Sequence, residues 1–113
     1  MLTIETLQNF GANTQEGLGR CMNNQNFYFR LVKMAAGDKG FARLSNALNN
    51  RDWNDAFEAA HGLKGILSNL ALTPLVEPVS QLTELLRDKK EITFSDLLQQ
   101  IEEKHKQLLE LCG

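Results

Sequence analysis

The chain has 113 residues, close to the commonest size of a single domain and too short for two well-formed cores. Its net charge is -2 and its lysines and arginines are scattered, so it lacks the basic patch that binding a phosphate backbone requires, and nucleic acid is excluded as a partner. No apolar run approaches the ~20 residues that cross a bilayer, and Glu5 stands where a secretory leader would be basic and apolar, so the expectation is a cytoplasmic chain with no membrane partner.

Apolar residues form 42% of the sequence and charged residues 23%, a composition that can bury a core. With only two prolines and an abundance of Leu, Ala, Glu, Gln, Lys and Asn, the residue preferences favour helix over strand. Cys21 and Cys112 are too few and too isolated for a disulfide framework or a metal cluster, and are expected as reduced thiols.

In chain order, Thr3 to Phe10 predicts a short helix stopped by Gly11, and Thr14 to Met22 a weaker one containing Gly17 and Gly19. Both are expected to be lids or tethers outside the core. From Asn26, Phe27, Leu31 and Met34 recur at helical spacing as far as Gly37, and Phe41, Leu44 and Leu48 resume it up to Asn49-Asn50, as one broken helix or two in sequence. Asp52, with Asp55 in the first turn, opens a helix expected to reach about Leu72. Thr73-Pro74 reads as an N-cap followed by proline at the first helical position. The helix it starts runs to about Arg87 on the stripe Leu75, Val79, Leu82, Leu85 and Leu86, with an irregular or kinked first turn expected at Pro78. Thr93 and Asp96 cap a last helix whose stripe is Phe94, Leu97, Leu98, Ile101, Leu108 and Leu109.

Four long segments joined by short connections predict an all-α fold, an antiparallel up-down-up-down four-helix bundle preceded by one or two short helices. The whole of residues 1–113 is one domain, with the short helices in 3–22 and the bundle over 24–112.

On the helix that begins at Asp52, about 100° per residue separates two faces. Ala56, Ala59, Ala60, Leu63, Ile66, Leu67 and Leu70 fall in one apolar arc, and His61 lies roughly opposite, on a polar strip with Asn54, Glu58, Lys64, Gly65 and Ser68. Lys64 at i+3 and Gly65 at i+4 have their positions directly over His61. A phosphoryl group on the imidazole would carry close to two negative charges, which a cation one turn away stabilises, and glycine leaves the space such a group needs. Gly62 and Gly65 each cost ~1 kcal/mol against alanine in a helix interior, so their presence asks for a reason.

Ala60-His61-Gly62-Leu63-Lys64-Gly65 resembles the signature of histidine phosphotransfer domains, and Asn69-Leu70 with Thr73-Pro74-Leu75 resembles the family's continuation. The likeness covers the chain from about Leu18 to Leu109. It implies His61 as phosphoacceptor, Lys64 as the phosphate-stabilising cation and Gly65 as the clearance residue. It further implies reversible transfer with the aspartyl phosphate of a response-regulator receiver domain, with a hybrid sensor histidine kinase as a further partner. Magnesium would sit on the receiver, and the module itself would need no cofactor or metal and have no independent active site. The sequence departs from the family pattern at Gly62, where Thr or Ser is usual, at Ile66 and Leu67, where small residues are, and at Ala71, where a second glycine is common. Ile66 and Leu67 are expected to point into the core, and a polar residue of the following helix, Ser80 or Thr83, to lie near the phosphohistidine. Phe57 or Leu72 would form an apolar rim for the partner.

A lone histidine is more often an ordinary surface residue, and its Lys-Gly neighbours are what set His61 apart. His105 reads as a packed or boundary residue of the last helix. Phe27, Tyr28, Phe29 and Trp53 read as core or junction residues, not a ligand cage. Two histidines so far apart, with no cysteine or paired carboxylate beside them, do not make a zinc or di-iron site, and nothing around His61 supplies an acyl-transfer set. Two other readings stay open: a phosphoacceptor domain charged from ATP by a linked kinase domain, and a bundle that has lost transfer and serves as a binding scaffold.

Overall fold

The computed structural model describes residues 1–88 and 94–113. Among these residues the chain forms seven α-helices and no strand: α1 (Ile4–Phe10), α2 (Thr14–Arg20), α3 (Gln25–Ala36), α4 (Gly40–Asn49), α5 (Trp53–Asn69), α6 (Thr73–Arg87) and α7 (Ser95–Cys112). α5 lies between α4 and α6, α6 packs on α7, and α7 returns to α3.

Helices start where a short polar side chain can take up a free amide. Thr3 and Thr6 close a reciprocal capping box, and Asn13, Asn24 and Asp52 accept from the amides of Glu16, Phe27 and Asp55. α6 and α7 have no such bond. Thr73 is the first residue of α6 and not its cap, and Asp96 lies in the first turn of α7, after Phe94 at the cap position. Thr93 lies outside the described residues. α6 runs through the buried Pro78 without interruption, its first turn already closed by the amides of Leu75 and Val76 on the Leu72 carbonyl.

The segment from Asn26 forms two helices, parted around Gly37. Gly40 starts the second against α5, where a Cβ would lie 3.0 Å from Leu63 Cδ2. α3 buries Tyr28, Val32, Ala35 and Ala36, whereas Phe27 and Met34 of the expected stripe are exposed. Tyr28 decides the face, because its hydroxyl donates to the Leu70 carbonyl at 2.9 Å, and among the described residues no buried side-chain polar atom is left unpaired. On α4, Phe41, Leu44 and Leu48 are buried as expected; on α6 Leu85 is only half-buried, and on α7 Ile101 and Leu108 are buried while Leu109 is exposed. His105 is half-buried, stacked on Phe41 at 3.7 Å with its Nε2 2.7 Å from the Ala36 carbonyl at the end of α3.

The short N-terminal helices are not lids. Leu7 is fully buried, Thr14 and Gly17 are buried, and a Cβ at Gly17 would lie 2.6 Å from the Tyr28 ring. α2, with its cap residue Asn13, and α3 also complete the end of α5. The last carbonyls of a helix have no partner within it; here Arg20 donates to the Ser68 carbonyl, Tyr28 to that of Leu70, and the Asn13 amide to that of Ala71 at 3.0 Å.

α5 stops at Asn69, three residues short of the expected Leu72. Ala71 takes a left-handed conformation with φ 54°, the Leu72 amide bonds the Leu67 carbonyl and the Ala71 amide bonds that of Ser68, which together form a Schellman turn. Alanine replaces the usual glycine there at a conformational cost of ~1–2 kcal/mol, more than the ~0.8 kcal/mol that burying one methyl returns. Ala71→Gly is therefore expected to stabilise the protein by a few tenths to about 1 kcal/mol in urea unfolding.

Burial pushes the Tyr28 phenol up to about 12, helped by the nearby Cys21 thiol. A folded-state value above the ordinary 10.0 means that its contribution is complete below pH 10.0 and is lost as pH rises towards about 12. Tyr28→Phe should lower stability by about 1 kcal/mol at neutral pH and should remove this alkaline loss, read by urea unfolding across that range.

Candidate functional site

Small residues set the rotation of α5. Ala56, Ala59, Ala60, Leu63 and Leu67 are all buried, and alanine at three of these positions lets the helix sit close between its neighbours. The opposite side carries Asn54, Glu58, His61, Gly62, Gly65 and Asn69, all exposed, with Lys64 and Ser68 half-buried at its edge. His61 therefore faces outward, as its sequence position predicts.

Side-chain contacts identify the two flanks of this open face. Towards α4, Arg43 Nε donates to Asp55 Oδ1 at 3.0 Å, and the guanidinium holds that carboxyl below the usual carboxylate range. Towards α6, the Arg87 guanidinium carbon lies 5.7 Å from the Phe57 ring centroid. His61 belongs to the α6 flank, because its imidazole lies nearly parallel to the Phe57 ring, at 9° with centroids 5.7 Å apart. The helix angle puts Lys64 and Ser68 on the same side.

Beyond His61 there is room. Among the described residues, a Cβ built at Gly65 meets no atom within 4 Å, and one at Gly62 meets none either. Lys64 forms no ion pair among the described residues, so its ammonium is not held by Glu58 or any other acid there. The structure thus brings His61, Lys64 and Gly65 onto one accessible turn.

Three sequence expectations need correction. Ile66 is 38% exposed, on the α4 side of the open face, while Leu67 is buried as expected. The arc that the core can use on this helix is narrower than the apolar residues present, because alanines fill much of it. Leu72 is fully buried in the turn before α6 and offers no rim to a partner; Phe57 is half-buried and can. Thr83 is fully buried and its hydroxyl donates to the Val79 carbonyl at 2.7 Å, so it is committed to its own helix, whereas Ser80 is half-buried.

The Phe57–His61 stack escaped the sequence reading, although the i,i+4 spacing that makes such pairs face each other was visible. The contact of Arg87 with Phe57 needs the packing of two helices and was not.

Grooves of about 310 Å³ and 470 Å³ lie elsewhere, the first lined by Phe41, Leu44, Leu98, Ile101 and His105, the second by Phe94, Leu98 and Glu102. Neither touches the open face of α5. An exposed face with one imidazole, one ammonium and a clear space is open to the active site of another protein. Among the described residues, no three His, Cys, Asp or Glu side chains group as metal ligands, and no helix is long and apolar enough to cross a membrane.

The family model for the Hpt domain matches residues 35–111, about two-thirds of the sequence, and the span includes the whole of α5 with His61, Lys64 and Gly65. The chain belongs to the Hpt domain family. Histidine phosphotransfer in phosphorelays is the general work of this family, and an Hpt domain is a phosphocarrier module. The match begins later than the likeness read from Leu18, leaving α1, α2 and most of α3 outside it. Comparison with curated proteins and with solved structures gives no significant match.

Since nothing surrounds the added Cβ, Gly62→Ala and Gly65→Ala should each raise stability by up to ~1 kcal/mol, the helix-propensity difference. Chemical unfolding of the two variants checks this. A loss of stability would mean that the space over His61 is not open.

Proposed function

We propose that this Hpt domain accepts a phosphoryl group on His61 from the aspartyl phosphate of a response-regulator receiver domain and passes it to another receiver in a multistep relay. The observation that carries this reading is an exposed imidazole with clear space at Gly65 and, one turn away, the amine of Lys64, which forms no ion pair among the described residues.

In the transfer, the lone pair of a neutral imidazole nitrogen forms the N–P bond while the aspartyl O–P bond breaks and the carboxylate leaves with its electron pair. The ring takes on the positive charge and keeps the proton on its other nitrogen. Lys64 opposes the charge on the phosphoryl oxygens, and Gly65 gives clearance to the phosphate and to the receiver that delivers it. The magnesium ion belongs to the receiver, and the module needs no cofactor and has no active site of its own. A receiver would dock on the open face of α5, with Phe57 and the exposed Ile66 as apolar contacts beside the polar strip. The proposed setting is an antiparallel up-down-up-down bundle in the cytoplasm, with a hybrid sensor histidine kinase as one source of the phosphate.

Incubation of the purified protein with a panel of phosphorylated receivers should give acid-labile label on the wild type and none on His61→Gln. Lys64→Ala should slow transfer about tenfold or more without unfolding the protein, as expected for loss of one charge-assisted contact. Equal labelling of His61→Gln would overturn the proposal.

A further inference from the structure

An exposed histidine can turn about its side-chain bonds, and nothing in its helix position alone fixes the plane of the ring. In this structure the plane is matched to a second ring. The imidazole lies 9° from parallel with Phe57, one helical turn earlier. Phe57 is half-buried, with the Arg87 guanidinium at 5.7 Å from its centroid, and Arg87 is itself bonded to Glu84 at 2.9 Å. The ring beside His61 is thus held from α6, whereas the opposite, C-terminal side of His61 is left clear by Gly65.

We propose that Phe57 is a positioning residue for phosphoryl transfer: its face sets the plane of the His61 imidazole, so that a ring nitrogen is presented edge-on to the space beside Gly65. This rests on His61 being the phosphoacceptor. The nitrogen lone pair lies in the plane of the ring, and displacement at phosphorus needs that lone pair aimed at phosphorus, opposite the departing carboxylate oxygen. A ring free to rotate has the lone pair so aimed for only part of the time, and small errors of aim cost rate steeply. A parallel aromatic neighbour at i-4 restricts the rotation without covering the ring edge where the bond forms.

Leucine at position 57 keeps an apolar contact under Arg87 and removes the planar face, while tyrosine keeps the face. Wild type, Phe57→Leu and Phe57→Tyr are compared with two donors: a phosphorylated receiver over a range of concentrations, and phosphoramidate, a small donor that needs no docking surface. Circular dichroism and thermal unfolding establish that each variant is folded. For Phe57→Leu the expected result is a rate at saturating receiver lower by about tenfold, an unchanged half-saturating receiver concentration, and a similar loss with phosphoramidate. Phe57→Tyr should restore both rates. Proton NMR should show the His61 ring protons displaced by the Phe57 ring current in wild type and in Phe57→Tyr, and not in Phe57→Leu.

Wild-type rates in a folded Phe57→Leu overturn the positioning role alone, as does a loss confined to half-saturation, which would leave Phe57 as a docking contact and nothing more. A wild-type protein that takes no phosphate on His61 from either donor overturns the carrier reading, and the positioning role with it.

Discussion

The close seating of α5 between α4 and α6 is the constraint on which the site depends. Ala56, Ala59 and Ala60, with Leu63 and Leu67, make one side of the helix a narrow, shallow surface that packs tightly, and Gly40 lets the start of α4 approach Leu63. A helix seated on alanines has few ways to rotate without opening a void. That fixed rotation is what turns His61, Gly62 and Gly65 outward. The Arg43–Asp55 pair on one flank and the Phe57–Arg87 contact on the other mark the same setting from both sides.

Stability and clearance pull against each other along this helix. Two glycines in its outward face weaken it, and Ala71 in a left-handed turn weakens its end. α2 and α3 offset part of that cost, because Arg20, Tyr28 and the Asn13 amide take up the carbonyls of Ser68, Leu70 and Ala71. α2 and the first turn of α3 thus support α5 from its C-terminal end, although they lie outside the matched family span.

Much of this was legible in the sequence, and the failures have physical causes. The rotation of α5 could be read because its apolar residues cluster in one arc and its glycines in another. The caps at Thr3, Asn13, Asn24 and Asp52 are local chemistry, and of these Thr3 and Asp52 opened expected helices. The face of α3 was misread because Phe27, Leu31 and Met34 form as good a stripe as Tyr28 and Val32, and only the Leu70 carbonyl, distant in sequence, decides between them. Ile66 was misplaced because an apolar side chain at the border of an arc is buried only if a neighbouring helix reaches it. Thr83 looked available because a sequence does not reveal that a hydroxyl is bonded to its own helix at Val79. The short N-terminal helices looked peripheral because the use of α2, closing the end of α5, is a tertiary matter.

The chain holds two histidines, and the structure treats them oppositely. His105 is stacked on Phe41 with its Nε2 against the Ala36 carbonyl, while His61 stands at an open face. Mass spectrometric mapping of the phosphorylated protein at neutral pH, where the N–P bond survives, therefore tests the central claim directly. The phosphate is predicted on the peptide that contains His61; phosphate on His105, or only on a hydroxyl or carboxyl side chain, would contradict the account.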